Sequence, residues 1–545
     1  MTHPNPSTAL ARVVVDELVA GGVRFVAISP GSRSGALAIA AAGQDGIETR
    51  MVLDERSAGF HALGVARASG RPAAVITTSG TAAANLLPAV VEADLSGVPL
   101  IVITADRPAE LQGVGANQTI DQVELFGAKA RIFRGIEAPG PDLDANRLWR
   151  ETVRSVVGHA SGPFPGPGHL NVAFREPTVP VSDDGRSSAP AYQFPTPRLD
   201  DVAMDPTARE TSLPTIDPGR GLVVGGDGPY DRAALLERSR ALGWPFVATA
   251  LSGLRGEEVV SAYHFTLASG VPDRLRPRTV VAVGGIGPDP VLEDLVAAAP
   301  VRLRVDAWGR HIDPRRNATS VLAADPLQVL AGVEGRADED WAGLWLGVDK
   351  AMRARVLADV TAEHRLSGGS VAEALNAIAW EALVVSSSLP IREVDAHLAR
   401  SGPVFANRGA SGIDGFVSTA LGVATVSPRT LAISGDLSLL HDSNGLLHDG
   451  DVDLTLVVVD NGGGGLFDSL PQATYAPDFE RLFVTPPHRD LAALAVFHGA
   501  RAQLVASRSE LIAAVSGGLD ASGIDVVVVP VDRVFDLEAR RRRYD

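Results

Sequence analysis

Short apolar runs rich in β-branched residues recur along the chain, each closed by a glycine-bearing turn and accompanied by a stretch with helical spacing. In the first third the runs are VRFVAIS (23–29), AAVITT (73–78) and PLIVITA (99–105), with helical patterns over 56–68 and 82–93. Uninterrupted runs of this kind suit strands covered on both faces, and their alternation with helices predicts a parallel sheet in an α/β domain over 1–180. Proline, serine and aspartate then dominate, offering little to bury and few ladder donors, which predicts a linker over 181–218. GLVVGGDG (221–228), RTVVAVGG (278–285) and VRLRVDAWG (301–309) predict a central α/β domain at 219–345. A polar helical stretch at 336–365 leads to ALVVSSS (382–388), RTLAISGD (429–436), LTLVVVDN (454–461) and IDVVVVPV (524–531), the strands of a third domain at 346–545. The fold class expected is α/β, with three doubly wound parallel-sheet domains.

Composition narrows what such a chain can do. Its 545 residues, 45% hydrophobic and 21% charged, describe a globular chain of several cores. A formal net charge of −16, from 49 basic and 65 acidic residues, gives no electrostatic footprint for nucleic acid or an anionic membrane. An anionic substrate would therefore need a local cluster of arginines. The absence of cysteine removes disulfides, iron–sulfur clusters and thiol nucleophiles. Neither Lys129 nor Lys350 has the setting of a Schiff-base lysine. The N-terminal segment carries Asp16 and Glu17 where a secretory leader would be apolar, and no run approaches the roughly 20 residues that span a bilayer, so a soluble cytoplasmic protein is expected. GGDGPY (225–230) lacks the spacing of a dinucleotide loop, and the 12 histidines form no metallohydrolase motif. The closing run Arg540–Arg543 reads as a solvated helix end whose charge suits the helix dipole.

The residues that carry chemistry lie at strand ends. LAISGDLSLL puts Gly435 and Asp436 where a strand gives way to a helix, and LTLVVVDNGGGG ends a neighbouring strand at Asn461, 461 − 436 = 25 residues later. The crevice beyond the strand ends is where open α/β sheets bind ligands. Hard oxygens from Asp436, Asn461 and a glycine carbonyl would suit Mg²⁺ carrying a phosphate group, while a capped helix and a flexible turn would explain the same residues structurally. This segment resembles the anchor of the thiamine-diphosphate enzymes: GD at 435–436, then Asn461 and Gly463, with Leu437 and Asp460 departing from the usual glycine and asparagine. VLDERSAGFHALG supplies Glu55 after a strand and at the opening of a helix, matching the family's glutamate.

SPGSRSGALA (29–38), ITADRP (103–108), GANQTIDQ (115–122), SSSLPIREVD (386–395), NRGASGIDG (407–415) and NGGGGLFDSLP (461–471) narrow the resemblance to the branch of menaquinone biosynthesis. That resemblance implies a transferase that decarboxylates 2-oxoglutarate and adds the succinyl carbanion equivalent to isochorismate. The three domains would then be pyrimidine-binding, central and diphosphate-binding. It implies thiamine diphosphate with Mg²⁺, Mn²⁺ being an alternative; Asp436, Asn461 and the Gly463 carbonyl would hold the metal. Glu55 would be the catalytic residue, bonded to the cofactor's aminopyrimidine. Ile413 would prop the cofactor's bent shape, with Leu466 and Phe467 beside it. Both substrates are dicarboxylates, for which Arg33, Arg107, Arg392 and Arg408 would provide cationic forks, assisted by Ser32, Gln118, Ser388 and Leu470. A basic pair of some relatives is replaced around 284–290, leaving Arg302 or Arg304 as candidate substitutes. A homodimer or homotetramer with sites between subunits is further implied. The alternatives are another thiamine-diphosphate 2-oxoacid decarboxylase or carboligase, or a non-catalytic ligand sensor on the same scaffold.

Overall fold

The computed structural model describes residues 5–138, 143–179, 216–287, 289–310, 312–337, 340–447, 452–474 and 477–544; of the expected linker, 181–215 lies outside them. Three sheets form among these residues, and every ladder between named strands is parallel. The first contains β1 (Phe25–Ile28), β2 (Glu48–Met51), β3 (Ala73–Thr77), β4 (Leu100–Asp106), β5 (Ile132–Glu137) and β6 (Gly168–Ala173), in the order β2-β1-β3-β4-β6-β5. The second contains β7 (Gly221–Gly225), β8 (Phe246–Ala248), β9 (Thr279–Val283), β10 (Val301–Val305) and β11 (Ser320–Leu322), ordered β11-β10-β9-β7-β8. The third contains β12 (Ala382–Val385), β13 (Val404–Phe405), β14 (Thr430–Gly435), β15 (Leu454–Asp460), β16 (Arg501–Leu504) and β17 (Ile524–Pro530), ordered β13-β12-β14-β15-β17-β16. The first and third sheets thus share one strand order. The central strands are buried on both faces, as their composition requires: β3, β4, β9 and β12 are buried at every position. Each fully buried Val, Leu or Ile side chain contributes roughly 1.5–3 kcal/mol.

The chain divides into two compact units. One comprises Met1–Glu210, Gly409–Val426 and Asp442–Asp451; the other comprises Thr211–Arg408, Ser427–His441 and Val452–Asp545. Two segments from the last third of the sequence therefore belong to the N-terminal unit. Their main tie is a close crossing of the helices Glu55–Ser69 and Phe416–Val426. A Cβ on Gly64 would fall 2.3 Å from the Thr419 carbonyl oxygen, and one on Gly422 2.1 Å from that of His61. Only glycine at both positions lets the two backbones come this near.

Candidate active site

In the N-terminal unit, Glu55 is the first residue of its helix, directly after β2 and its turn. Asp54 caps the helix, its Oδ1 accepting from the backbone N–H of Arg56 at 2.9 Å and of Ser57 at 3.4 Å. The cap is itself held: Asn444 donates to Asp54 Oδ2 at 2.9 Å, and Ser57 Oγ donates to Asp442 Oδ1 at 3.3 Å. Asp442 also accepts from the Ser418 backbone N–H at 2.8 Å, and burial pushes its carboxyl up to about 6. The loop carrying Ile413 is pinned by Glu92, which accepts from Gly409 N at 2.9 Å and Ala410 N at 2.7 Å. These brace residues are not evident from sequence, because nothing local in HDSNG or VVEADLS distinguishes a cap partner from a surface acid.

The same unit gathers two of the expected arginines. Arg107 is 9% exposed, and its Nη1 donates to Ser79 Oγ and, at 3.1 Å, to the Gln118 carbonyl. Arg33 donates to the Phe174 carbonyl at 3.0 Å and lies 3.2 Å from Glu176. Burial first, and then the charge of Arg33, lower Arg107 from its ordinary value. Two guanidinium groups that feel each other, one of them buried, suit an anion more than they suit each other. Gln118 has φ 55°, a left-handed conformation uncommon outside glycine, and its Nε2 donates to the Ser79 carbonyl at 3.1 Å. Ser32 is exposed at the neighbouring turn.

In the other unit, β14 and β15 run side by side, with Gly435 opposite Val459, so their ends deliver Asp436 and Asn461 to one edge. Asp436 is 2% exposed; Oδ1 accepts from Leu437 N and Oδ2 from Gly463 N, both at 2.6 Å. Burial raises its carboxyl to about 6 against those two bonds, with the nearby charge of Asp460 adding to the rise. Asn461 Oδ1 is buried and has no hydrogen-bond partner, an arrangement that costs about 1–3 kcal/mol unless something occupies it. Gly463 has φ 128°, and a Cβ there would lie 2.2 Å from the Val484 carbonyl oxygen, so the turn tolerates no side chain. A buried carboxylate held only by backbone N–H groups, beside an orphaned amide oxygen, is the donor set of a hard divalent cation.

A cavity of about 640 Å³ opens in this unit, lined by four expected residues, Arg392, Arg408, Leu466 and Leu470. Ser388 begins the helix Leu389–His397 with φ 76°, and its carbonyl accepts from Arg392 Nη1 at 2.5 Å. Arg408 Nη1 reaches Ser387 Oγ at 3.3 Å. Phe467 is not on the cavity wall; its ring lies 5.5 Å from that of Phe483. Neither Arg302 nor Arg304 lines it: Arg304 is buried against Glu293 at 2.6 Å, and Arg302 Nη1 donates to the Ala299 carbonyl at 2.6 Å. The closing arginine run also departs from expectation. Arg543 is 2% exposed and paired with Glu363; Arg540 binds Asp536 at 2.9 Å and Glu393 at 3.3 Å, and Arg540 and Arg541 line the cavity. The run is visible in the sequence, but its helix Arg533–Tyr544 docks on the buried acids Glu393 and Glu363, the latter 180 residues from Arg543, which periodicity does not reveal.

Residues 8–125 match the family described as thiamine pyrophosphate enzyme, N-terminal TPP binding domain, and residues 396–529 the corresponding C-terminal TPP binding domain. Near full-length relatives share one name, 2-succinyl-5-enolpyruvyl-6-hydroxy-3-cyclohexene-1-carboxylate synthase. The protein of Thermobifida fusca (strain YX) is 41% identical, covering 98% of each chain. That of Halobacterium salinarum (strain ATCC 29341 / DSM 671 / R1) is 38% identical over 100% of this chain and 99% of its own. That of Listeria monocytogenes serovar 1/2a (strain ATCC BAA-679 / EGD-e) is 34% identical over 97% and 96%. The chain belongs to this synthase family. Membership makes it a thiamine-diphosphate-dependent transferase, and both cofactor-domain matches fall where the first and third sheets lie. For a synthase of this family, the orphaned Asn461 oxygen and the buried Asp436 carboxyl fit a cofactor's metal, and Glu55 stands in the stretch that matches the N-terminal TPP binding domain.

Proposed function

We propose that this chain, holding thiamine diphosphate and Mg²⁺, decarboxylates 2-oxoglutarate and adds the resulting four-carbon unit to isochorismate, releasing CO₂, as a step of menaquinone biosynthesis in the cytoplasm. The observation that carries the reading is the family's shared name over nearly the whole chain, joined to a guanidinium-lined cavity that suits dicarboxylates. The three sheets, one per stretch, support domains at 1–180, 219–345 and 346–545 with a linker at 181–218. A homodimer or homotetramer is part of the proposal, resting on the resemblance.

When bound, thiamine diphosphate supplies the electron sink that accepts the pair freed as CO₂ leaves and returns it to the acceptor carbon. The chain's residues hold and orient. Asp436, Asn461 and the Gly463 carbonyl would bind Mg²⁺, with Mn²⁺ able to replace it, and through it the diphosphate. Glu55, fixed by the Asp54 cap, would share a proton with the aminopyrimidine ring nitrogen. Ile413, Leu466 and Phe467 would shape the cofactor pocket. Arg33, Arg107, Arg392 and Arg408 would pair substrate carboxylates bidentately, with Ser32, Gln118 and Ser388 bonding the remaining oxygens and Leu470 covering the carbon chain. The test is direct: the purified protein with Mg²⁺ and thiamine diphosphate is given 2-oxoglutarate with and without isochorismate, and product mass is followed. An isochorismate-dependent adduct is expected. Its absence rejects the reading.

A further inference from the structure

One wall of the Arg392 cavity is built from groups that the roles above leave unused. The short helix Tyr263–Thr266 places His264, 7% exposed, with Nε2 2.6 Å from Asp289 Oδ2 and 3.8 Å from Asp395 Oδ2. All three line the cavity. Asp289 caps the helix Pro290–Ala297, accepting from Val291 N at 2.8 Å. Asp395 sits one turn beyond Arg392 on the helix Leu389–His397 and accepts from Tyr263 Oη at 2.5 Å, Arg255 Nη2 at 2.8 Å and the Ala250 backbone N–H. His264 Nδ1 is buried without a partner, so the ring's polar hold runs through Nε2 and the two carboxylates, with Tyr263 stacked at 4.2 Å.

A charge count shows what the histidine decides. Asp289 and Asp395 contribute two negative charges and Arg255 one positive, so the wall is neutral with an imidazolium and carries one net negative charge with a neutral ring. Arg392 feels Asp289, and no carboxylate is its ion-pair partner among the described residues. We propose that His264 is a positioning residue for substrate binding: as an imidazolium it ties Asp289 to Asp395, keeps this wall neutral and leaves Arg392 free to take a substrate carboxylate. The inference rests on the assignment of this cavity to the dicarboxylate substrates. Burial pulls the His264 pKa down, but the Asp289 bond and the two carboxylate charges outweigh it, and the group stands above its ordinary value. The other charged or titratable groups around it are Arg255, Tyr263, Arg392, Arg408, Arg540, Arg541, Tyr544 and His397, the last held neutral by burial. The three donor atoms, all within 4.8 Å of one another, would also suit a divalent cation. Arg255 and Tyr263 already occupy Asp395, however, and a second cation there would face the guanidinium.

The holoenzyme is assayed from pH 6 to 9, following KM for 2-oxoglutarate and for isochorismate apart from kcat. KM for at least one substrate should rise as His264 loses its proton, with kcat nearly level. His264→Gln should raise that KM about tenfold at pH 6.5 and flatten its pH profile, the effect of one unit charge about 12 Å from a substrate carboxylate at an effective dielectric near 20. The double variant His264→Gln/Asp289→Asn restores neutrality and should recover most of the loss, which a merely structural role for either residue would not allow. A double variant no better than the single one, or a loss confined to kcat, overturns the proposal. So does a wild-type KM that depends on added Zn²⁺ and loses that dependence in His264→Gln, which would assign the cluster to a metal. Histidine-labelled wild type gives a reading free of folding artefacts: by NMR the His264 pKa should exceed 6.5 and rise further with 2-oxoglutarate bound, as linkage requires. A neutral ring at pH 6, or a pKa unmoved by 2-oxoglutarate, overturns it. That titration needs no turnover, so failure of the isochorismate reaction and failure of the clamp are told apart.

Discussion

At the scale of single residues, the proposed site would separate groups that hold the cofactor from the group that works on it. Glu55→Gln keeps size and one hydrogen bond but removes the shared proton, so turnover should fall by at least about 100-fold, the usual weight of a positioned acid or base, while calorimetry finds thiamine diphosphate binding within a few-fold of wild type. Asp436→Ala should act the other way round: it removes the buried carboxyl that Leu437 N and Gly463 N now satisfy, and the calorimetric Kd for cofactor plus Mg²⁺ should rise at least about tenfold. Equal binding in both variants would undo the division. The residues themselves were legible because strand ends are chemically punctuated: GD, DN and GSRS each break an apolar run with polar groups that have no core to enter. Their supports were not. Asp442, Asn444 and Glu92 brace the Glu55 helix and the Ile413 loop across separations of 317 to 390 residues, and a single sequence carries no trace of such pairings.

At the scale of elements, legibility followed position in the sheet. The runs read as strands correspond to β1, β3, β4, β7, β9, β10, β12, β14, β15 and β17, all of them interior. Of the six edge strands β2, β5, β8, β11, β13 and β16, β8 (FVA) is apolar and fully buried but only three residues long, and the others are short or mixed in polarity. ETRM and RAQL, for example, are half water-facing and mixed in polarity, as an edge demands. The interior strand that also escaped, β6 (GHLNVA), is disguised by His169 and Asn171. These side chains join a buried network in which Thr104 Oγ1 meets His169 Nε2 at 2.8 Å and donates to Asn171 Oδ1 at 2.7 Å, leaving His169 Nδ1 without a partner. Helices impose a different constraint where Glu55–Ser69 crosses Phe416–Val426. Gly422→Leu puts a side chain onto backbone at 2.1 Å and should cost about 1–3 kcal/mol. It should lower the Tm and weaken cofactor binding through the displaced start of the Glu55 helix. An unchanged melting curve would show that the crossing is looser than this geometry.

At the scale of the whole molecule, buried titratable groups pull stability in opposite directions as pH falls. Burial depresses both His169 and His397 to about 3, from an ordinary 6.5. Their neutral forms are favoured by folding, so their contribution is complete above about pH 6.5 and is lost as pH falls toward 3. Asp442, raised to about 6 from 3.8, works in the opposite sense: the fold favours its protonated form, so stability from this group declines as pH rises from about 4 to 6. Asp436, also raised to about 6, and Glu393, raised to about 7, act as Asp442 does, and His264, held above its ordinary value, likewise gains stability as pH falls, so the net slope balances two opposed sets. The histidine part is isolated by comparison: between pH 7.5 and 5.5 the wild type should lose about 1 kcal/mol more stability than His169→Gln in denaturant unfolding. Equal pH dependence of the two proteins would contradict the burial of the His169 ring.

The membership of Gly409–Val426 and Asp442–Asp451 in the N-terminal unit also bears on how this family can be recombined. A chimera that exchanged only the first 180 residues with a relative would pair one protein's Glu55 helix with another's glycine crossing and another's Asp442 brace. The swap that respects the contacts carries three pieces of sequence together, so the inheritable block at this site is discontinuous in the gene although continuous in space.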